Sequence, residues 1–311
     1  MAIKVFIDGS AGTTGLKIAG RLSARPDVRL IQPPEALRKD PAARRECLAE
    51  ADVAFLCLPD AAAVESAALA EGTDTILIDT STAHRTDPGW VYGFPELAGQ
   101  REKIRSARRI ANPGCHASGF VALVAPLVMA GLVPADARLG CFSITGYSGG
   151  GKKMIADYEA AGRDPLLDAP RQYGLGQAHK HLPEMLAVCR LENAPAFCPI
   201  VAGYYSGMEV TVPLFADQLR GSVDDVREVY RRWYGGPVVR YVESADEAGF
   251  LSASALAGRD DMEISVHGND DRLLLVARFD NLGKGASGAA IQNMNVAIGA
   301  EETTGLVLGG I

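Results

Sequence analysis

One cysteine, Cys115, stands where a thiol could act as a nucleophile. It follows Asn112-Pro113-Gly114, a sequence typical of a tight turn, and it precedes an apolar run over residues 120–133 that predicts a buried helix. A turn that leads into a helix places the thiol at the helix N-terminus, where the helix dipole and amide N–H groups stabilise a thiolate. The pattern leaves two interpretations open, a buried core cysteine and a reactive nucleophile.

A second group of chemically useful side chains lies in the stretch His-Lys-His-Leu-Pro-Glu, which contains His179, His181 and Glu184. Histidine titrates near neutral pH, and a carboxylate three residues away could orient the ring, so the stretch predicts a general acid/base. A metal site is the weaker interpretation, because two histidines and one carboxylate lack a third histidine nearby. Polar residues at the start of a helix remain the alternative.

A glycine-rich loop follows the first predicted strand, residues 3–7, and leads into helix-compatible spacing. Strand, glycine loop and helix form the context that a dinucleotide requires, since glycines let the backbone approach a pyrophosphate at a helix N-terminus. A glycine turn that only packs a helix on a strand is the alternative. The residues expected to contact a dinucleotide are Gly9, Ser10, Ala11, Gly12, Thr13, Thr14 and Gly15.

The second predicted strand, residues 28–31, carries a hint about the cofactor. An acidic residue that would bind the ribose of NAD is missing after it, and Gln32 stands there instead. Arg38 and Lys39 follow, and a basic pair favours the 2′-phosphate of NADP. A solvated run of charges is the alternative.

Strands and helices alternate in the first third of the chain. Strands are also predicted at residues 53–58, 75–78 and 109–111, helices at 41–49 and 61–70, and a compact loop at 90–97. This alternation predicts a doubly wound parallel sheet. Ser81, His84 and Arg85 follow the fourth strand, and ligands bind beyond the carboxyl ends of strands in such sheets. Arg85 is therefore a candidate for binding a substrate anion, with a surface arginine as the alternative.

The pattern changes after about residue 134. Strands are predicted at residues 137–145, 209–214, 238–242, 262–266 and 273–280, and helices at 223–234 and 289–298. This arrangement favours an α+β domain with an antiparallel sheet. Three glycines beside Lys152 and Lys153 predict a mobile, cationic loop over residues 147–153, which could hold a phosphate or could be a plain flexible loop.

Composition bounds the remaining possibilities. The 311 residues are 48% hydrophobic, enough for two domains. A net charge of −7 with mixed signs argues against nucleic acid or an anionic membrane as a partner. The longest apolar stretch is too short to span a bilayer and contains Pro126 and Gly131. The first residues enter a strand without a signal-peptide pattern. The scattered cysteines have neither the spacing of metal ligands nor that of a disulfide framework. We therefore expect a cytoplasmic protein without a metal.

Seven motifs in this order together carry a resemblance that covers nearly the whole chain. They are G-S-A-G-T-T-G, D-T-S-T-A-H-R, Y-G-F-P-E-L, N-P-G-C, G-Y-S-G-G-G-K, H-K-H-L-P-E and D-N-L-G-K-G-A-S-G-A-A-I-Q-N-M-N. Each motif alone is weak, but the ordered set resembles the N-acetyl-gamma-glutamyl-phosphate reductases in their shorter subfamily. That family is similar in architecture to aspartate-semialdehyde dehydrogenase and the phosphorylating glyceraldehyde dehydrogenases.

The resemblance implies a Rossmann-type NADP-binding domain, residues 1–114 and 285–311, and a catalytic and oligomerisation domain, residues 115–284, with a mainly antiparallel sheet. It implies reduction of an acyl phosphate by NADPH through a thioester on Cys115, with His181 or His179 as the acid/base, in a homodimer or homotetramer. Further cofactor contacts are expected from Arg38, Asn281 and Lys284. Substrate contacts are expected from Ser81, Arg85, Asn112, Glu184 and Lys152 or its neighbour Lys153.

One local departure concerns the residue after the nucleophile, which is usually tyrosine in this family and is His116 here. We interpret His116 as one packing ring in place of another, because adjacent residues rarely point at one target. Two alternatives to the reductase remain open. One is a related reductase that acts on aspartyl or aminoadipyl phosphate, and the other is a non-catalytic dinucleotide sensor, which would not need a reactive cysteine.

Overall fold

The structure, a computed structural model, describes residues 2–309 and divides into two compact units. Within the described residues, the first unit comprises residues 2–95, 99–114 and 286–306, and the second comprises 96–98, 115–285 and 307–309. Met1, Gly310 and Ile311 belong to the ranges predicted for the cofactor-binding domain and lie outside the described residues.

The first unit is built on a six-stranded sheet in which every pairing is parallel. The strand order β2-β1-β3-β4-β6-β5 reverses direction at β1, as in doubly wound sheets. The strands are β1 (Ile3–Asp8), β2 (Val28–Ile31), β3 (Val53–Leu56), β4 (Ile76–Asp79), β5 (Val91–Tyr92) and β6 (Arg109–Ala111). The predicted doubly wound parallel sheet is confirmed.

Helices connect these strands and bury their apolar sides on the sheet. They are α1 (Thr13–Leu22), α2 (Pro41–Glu50), α3 (Asp60–Leu69) and α4 (Gln100–Ser106). Strands β1 and β3 are almost entirely buried, with Val5 and Phe55 at 0% exposure, and Ile18 and Leu22 of α1 join the same core. Burial on both faces explains why these strands are continuous apolar runs.

The second unit contains a seven-stranded sheet of order β11-β12-β13-β10-β7-β9-β8. Its strands are β7 (Gly140–Gly146), β8 (Arg171–Gln172), β9 (Ala196–Ala202), β10 (Met208–Phe215), β11 (Val239–Tyr241), β12 (Met262–Gly268) and β13 (Arg272–Phe279). The β7–β9 and β11–β12 pairs are parallel and the other four are antiparallel. The prediction of a mainly antiparallel sheet is confirmed.

The central helix of the second unit is α5 (Cys115–Met129), in which every residue from His116 to Leu127 is buried. Pro126 lies inside it and has no N–H, so the carbonyl of Ala122, four residues earlier, receives no helical hydrogen bond. The hydroxyl of Tyr234 donates to that carbonyl at 2.6 Å, just beyond the end of a helix that packs on α5. A buried tyrosine thus supplies the donor that proline removes.

The remaining helices of the second unit are α6 (Gly151–Glu159), α7 (Leu182–Cys189) and α8 (Val223–Trp233). The chain then returns to the first unit through a π-helical turn, Gly283–Ser287, and α9 (Gly288–Ala297). Helix α9 is buried along its length, and Ile291 and Met294 join the core formed by β1 and β3. No helix within residues 2–309 has the length and apolarity that crossing a bilayer requires.

The predicted loop over residues 147–153 is wrong. Tyr147–Gly150 forms a 3-10 turn and the two lysines lie in the first turn of α6. The ring of Tyr147 stacks on that of Tyr158 with centroids 4.7 Å apart, and this contact fixes the glycine-rich segment on the helix. The loop predicted for residues 90–97 also contains a short strand, β5, and the sequence patterns indicated neither helix α4 nor strands β8 and β9.

Candidate active site

Cys115 is the first residue of α5 and lies after the turn that follows β6. The predicted location, a turn that delivers the thiol to a helix N-terminus, is confirmed. The Cys115 side chain is half-buried, whereas residues 116–127 behind it are all buried. Because the helix dipole places partial positive charge at this end, the position favours a thiolate.

Other cysteines lie in surroundings that disfavour a thiolate. Burial raises the pKa of Cys57 to about 12 and raises the pKa of Cys141 and Cys189 still further. The pKa of the half-buried Cys47 is also raised, first by burial and then by nearby carboxylates. These four thiols therefore stay protonated at neutral pH, and none of them lies at a helix N-terminus as Cys115 does.

A cluster of rings surrounds His116, the residue after Cys115. The His116 side chain is only 3% exposed. Its Nδ1 lies 2.6 Å from the Ser143 hydroxyl and its Nε2 lies 2.7 Å from the Tyr173 hydroxyl. Burial, followed by the nearby charge of His179, lowers the pKa of His116 to about 3, so the ring is neutral near pH 7. The packing role predicted for His116 is thus accompanied by two hydrogen bonds that the sequence did not indicate.

The two candidate acid/base histidines pack against the same ring. The centroids of His179 and His181 lie 5.7 Å from that of His116 and 4.8 Å from each other. His181 is buried and occupies the N-cap position of α7 without a capping hydrogen bond from its side chain. Its backbone N–H donates to Nδ1 of His179 at 3.2 Å. Burial and the charge of Lys180 lower the pKa of His179, which favours its neutral form.

Glu184 lies in the first turn of α7 and is 1% exposed. Its place three residues after His181 suits a carboxylate that orients a histidine ring. The structure therefore brings His116, His179, His181 and Glu184 into one unit with Cys115.

The π-helical turn approaches the nucleophile closely. A Cβ atom placed on Gly285 would lie 3.0 Å from Cβ of Cys115 and 3.1 Å from the carbonyl oxygen of Asp280, so this position has little room for a side chain. Asp280, which is 1% exposed, accepts hydrogen bonds from the backbone N–H groups of Leu282 and Gly283. The turn is thus held by a buried carboxylate.

Two residues predicted to contact the cofactor lie at this turn. The ammonium of Lys284 is 2.9 Å from both carboxylate oxygens of Glu96, and both side chains are buried. Asn281 accepts from the N–H of Gly207 at 3.0 Å and donates to the Ser148 hydroxyl at 3.0 Å. Both side chains therefore have structural partners, and a contact with cofactor stays a prediction.

In the first unit, Gly9 occupies a position in the loop after β1 where no side chain fits. Gly9 has a positive φ of +87°, and a Cβ there would lie 2.3 Å from the carbonyl oxygen of Cys57. Helix α1 begins at Thr13 with Gly12 as its N-cap, without a capping side chain or an acidic residue in its first turn. Amide groups and positive dipole are therefore presented to an anion, as dinucleotide binding requires.

The stretch after β4 is fixed by a buried carboxylate. Asp79 accepts from the Ser81 hydroxyl at 2.7 Å and lies 2.7 Å from Nδ1 of His84, whose ring stacks on Trp90 with centroids 4.0 Å apart. Arg85 is 9% exposed, and its Nε donates to the carbonyl of Asn112 at 2.9 Å. Arg85 therefore fastens the turn that precedes the nucleophile.

The side chain of Asn112 anchors the same turn. Its Nδ2 donates to the carbonyl of Ala286 at 3.1 Å, and its Oδ1 accepts from Nδ2 of Asn293 at 3.0 Å. Asn293, in α9, also donates to the carbonyl of Gly93 at 2.9 Å. Three of the sequence motifs thus meet in one buried amide network.

Three of the basic residues predicted to bind anions are on the surface, whereas Arg85 and Lys284 are buried. Lys152 and Lys153 are exposed at the start of α6, and Arg38 is exposed after β2, 3.7 Å from Glu35. Within residues 2–309, no group of three or more His, Cys, Asp or Glu side chains is arranged to hold a metal ion.

Comparison with known families defines the class. A family model described as the semialdehyde dehydrogenase dimerisation domain matches residues 115–281, and one described as the semialdehyde dehydrogenase NAD-binding domain matches residues 31–107. The fold is that of the semialdehyde dehydrogenases.

Curated relatives narrow this class. Proteins of Brucella ovis and Brucella canis, both called N-acetyl-gamma-glutamyl-phosphate reductase, are each 48% identical to this chain over 309 residues, which is 96% of the chain and 100% of each relative. The chain belongs to the family of the N-acetyl-gamma-glutamyl-phosphate reductases.

Solved structures support the fold. Aspartate semialdehyde dehydrogenase II from Vibrio cholerae has a TM-score of 0.73 at 16% identity, with 96% of this chain and 99% of that chain covered. Aspartate semialdehyde dehydrogenase with NADP from Candida albicans has a TM-score of 0.67 at 15% identity, with 95% and 98% covered.

Sequence reasoning missed several residues of the site. Ser143 and Phe197 lie on strands and contact His116, and Tyr173 reaches it from an irregular segment, so no spacing pattern joins them. Asn293 was visible only as part of the C-terminal motif, and its link to Asn112 depends on tertiary structure.

Proposed function

We propose that this chain reduces N-acetyl-L-glutamyl 5-phosphate with NADPH to N-acetyl-L-glutamate 5-semialdehyde and phosphate, a reversible step of arginine biosynthesis. The observation that carries the proposal is the half-buried thiol of Cys115 at the N-terminus of a buried helix, in a chain whose relatives bear that enzyme's name. The name of the relatives supplies the substrate, and the geometry of Cys115 supplies the chemistry.

The first chemical step is attack of the Cys115 thiolate on the acyl carbon of the substrate. A carbon–sulfur bond forms, the bond from the acyl carbon to the phosphate oxygen breaks, and phosphate leaves with the bonding electrons. The helix dipole of α5 stabilises both the thiolate and the negative charge on the carbonyl oxygen during attack. The product on the protein is a thioester of Cys115.

NADPH held by the glycine loop would supply the hydride for reduction of this thioester to a thiohemiacetal. His181, with His179 as the second candidate, protonates the oxygen that gains negative charge and takes the proton back when the carbon–sulfur bond breaks. Collapse releases the semialdehyde and restores the Cys115 thiolate. Burial of His181 and Glu184 supports this assignment, because both are held away from bulk water in the same unit as the thiol.

The first unit fits a dinucleotide. The residues that would hold the pyrophosphate are Gly9, Ser10, Ala11, Gly12, Thr13, Thr14 and Gly15, since they lead into and begin α1, whose N-terminus carries no acid. Exposed Arg38 and its neighbour Lys39 suit a 2′-phosphate, which supports NADP as the cofactor. Asn281 and Lys284 are proposed as further cofactor contacts beyond their protein partners.

The substrate's carboxylate and phosphate need cationic or polar partners. Exposed Lys152 or Lys153 and buried Arg85 are the proposed cations, and Ser81, Asn112 and Glu184 are the proposed polar contacts. Because Arg85 also holds the Asn112 carbonyl, its loss would affect the position of the nucleophile turn as well as anion binding.

We assign cofactor binding to residues 1–114 with 285–311, and catalysis and oligomerisation to residues 115–284. The family description as a dimerisation domain supports a homodimer or homotetramer. A biosynthetic enzyme that depends on a reduced thiol works in a reducing compartment, which supports a cytoplasmic location.

Steady-state kinetics of the full chain test the proposal. We expect NADPH oxidation with N-acetylglutamyl phosphate to fall by on the order of 10⁴-fold or more in Cys115→Ala, because the covalent route is lost. Cys47→Ala is the matched control, since Cys47 is also half-buried but carries no assigned role. Substantial reductase activity in Cys115→Ala would overturn the thioester mechanism.

The reverse reaction tests the substrate. With NADP and phosphate, the semialdehydes of N-acetylglutamate, aspartate and aminoadipate are compared, and we expect the highest kcat/KM for N-acetylglutamate semialdehyde. A higher value for another semialdehyde would assign the chain to a related acyl-phosphate reductase. Binding of NADP without turnover of any of them, and without selective labelling of Cys115 by iodoacetamide, would favour a dinucleotide sensor.

A further inference from the structure

His116 is a buried histidine that the proposed reaction does not use. It lies directly after the nucleophile in α5, and consecutive residues of a helix point about 100° apart, so the ring and the thiol face different directions. At 3% exposure the ring contacts protein on all sides. A residue of this kind would act through the groups that it touches.

Both ring nitrogens of His116 are engaged by hydroxyls from different parts of the second unit. Nδ1 meets Ser143 of β7, and Nε2 meets Tyr173, which follows β8. A neutral imidazole has one donor and one acceptor, and each hydroxyl can take either role, so both hydrogen bonds are satisfied. The ring therefore ties the segment that starts at Tyr173 to the central sheet.

That segment, residues 173–181, ends in the candidate acid/base histidines and contains neither helix nor strand. The ring of His116 meets His179 edge-on at 82° and His181 at 53°. Phe197 closes the cluster, 5.4 Å from His116 and 5.1 Å from His179. The ring of Tyr173 also lies 5.8 Å from that of His179. His116 thus contacts this segment at its first residue, Tyr173, and at the two histidines near its end.

We propose that His116 is a positioning residue: its hydrogen bonds to Ser143 and Tyr173 and its contacts with both histidines fix the acid/base group of the reaction. The effect of His116 on the reaction rate rests on the proposed function. Its effect on the positions of His179 and His181 does not. The ionisable groups that face His116 are Tyr173, His179 and His181.

The kinetic test uses His116→Phe, which keeps a ring and removes both hydrogen bonds. Because displacement of catalytic groups by about 1 Å costs on the order of 100-fold, we expect kcat to fall about 10- to 100-fold while the KM for the acyl phosphate changes less than about 3-fold. Ser143→Ala and Tyr173→Phe each remove one hydrogen bond and should have intermediate effects on kcat.

His267→Phe is the matched control. His267 also bonds to a serine, through Nε2 to Ser265 at 2.9 Å in β12, but it has no assigned role in the reaction. Its kcat should be that of the parent. A kcat for His116→Phe within about 2-fold of the parent would show that His116 only fills space and would overturn the proposal.

An NMR test works without substrate, and the chain has only five histidines. In the parent, we expect His116 not to titrate between pH 5 and 9. In His116→Phe, the resonances of His179 and His181 should move while those of His84 and His267 stay. Unchanged resonances of His179 and His181 would overturn the positioning role whether or not the chain is a reductase, so the two proposals fail separately.

Discussion

At the scale of single residues, the environments of similar side chains separate their roles. Deep burial raises the pKa of Cys57, Cys141 and Cys189, while Cys115 stands half-buried at a helix N-terminus. A thiolate needs stabilising charge, and of these four thiols only Cys115 begins a helix. Position in the fold, rather than residue type, thus distinguishes Cys115 as the proposed nucleophile.

The buried His116 also predicts how stability depends on pH. Its pKa is about 3 in the folded protein, whereas an unperturbed histidine has a pKa of 6.5, so between these values the unfolded chain binds a proton that the folded chain does not. The contribution of His116 to the free energy of unfolding is complete above pH 6.5, and below that pH it falls by about 1.4 kcal/mol per pH unit. The free energy of unfolding, measured with urea, should therefore fall between pH 7.5 and pH 5.5 by about 1.4 kcal/mol less in His116→Phe than in the parent.

The comparison of the two proteins removes the common effects of acid on other groups. Equal losses of unfolding free energy in His116→Phe and the parent would contradict the low pKa of the buried ring. Tyr173→Phe keeps the imidazole and should retain most of the parent's pH dependence, because burial is the main cause of the lowered pKa.

At the scale of elements, α5 connects the nucleophile to the core of the second unit. Its interior proline leaves the Ala122 carbonyl without a helical donor, and Tyr234 supplies one. Tyr230 of α8 donates to the carbonyl of Leu123 at 2.6 Å, but that carbonyl can also accept from the helix. The two tyrosines make similar hydrogen bonds with unequal consequences.

We predict that Tyr234→Phe lowers the free energy of unfolding by about 1–3 kcal/mol, because a buried carbonyl loses its donor. Tyr230→Phe is the matched control and should cost less, about 1 kcal/mol, because only one of two hydrogen bonds is lost. Equal costs in chemical denaturation would show that Pro126 does not leave the Ala122 carbonyl dependent on Tyr234.

Most elements near the site could be predicted because apolar runs and turn residues are local signals. The strand at residues 28–31 and the helix that begins at Pro41 were located in this way. Strand β9 was missed since Pro199 interrupts its pattern, yet the Pro199 carbonyl still accepts from the N–H of Tyr173. The helical form of residues 147–153 depends on the stacking of Tyr147 on Tyr158, a contact that local glycine content conceals.

At the scale of the whole molecule, the sheet of the second unit has one face on which large apolar side chains stay exposed. Helix α5 packs on β10 and β13, and the register places Phe142 opposite Thr211 and Leu274 opposite Pro213. Phe142 and Leu274 remain 49% and 43% exposed. An exposed apolar sheet face in a domain described by its family as a dimerisation domain suits a second copy of this chain.

We predict that Phe142→Glu weakens the homo-oligomer, because a charge would be buried in an apolar interface. Light scattering coupled to size exclusion should show a mass above the 32.8 kDa chain for the parent and a shift toward it for the variant. Phe250→Glu is the control, since Phe250 is 76% exposed and lies outside the sheet. An unchanged mass for Phe142→Glu would place the interface elsewhere.

Formation of a thioester on Cys115 can be observed in the reverse reaction when phosphate is left out. With N-acetylglutamate semialdehyde and NADP but no phosphate, we expect a burst of one NADPH per chain and an N-acetylglutamyl group that peptide mass spectrometry locates on Cys115. Cys115→Ala should give neither the burst nor the adduct. A burst without an adduct on Cys115, or the same adduct on another residue, would show that the reaction does not pass through a thioester on Cys115.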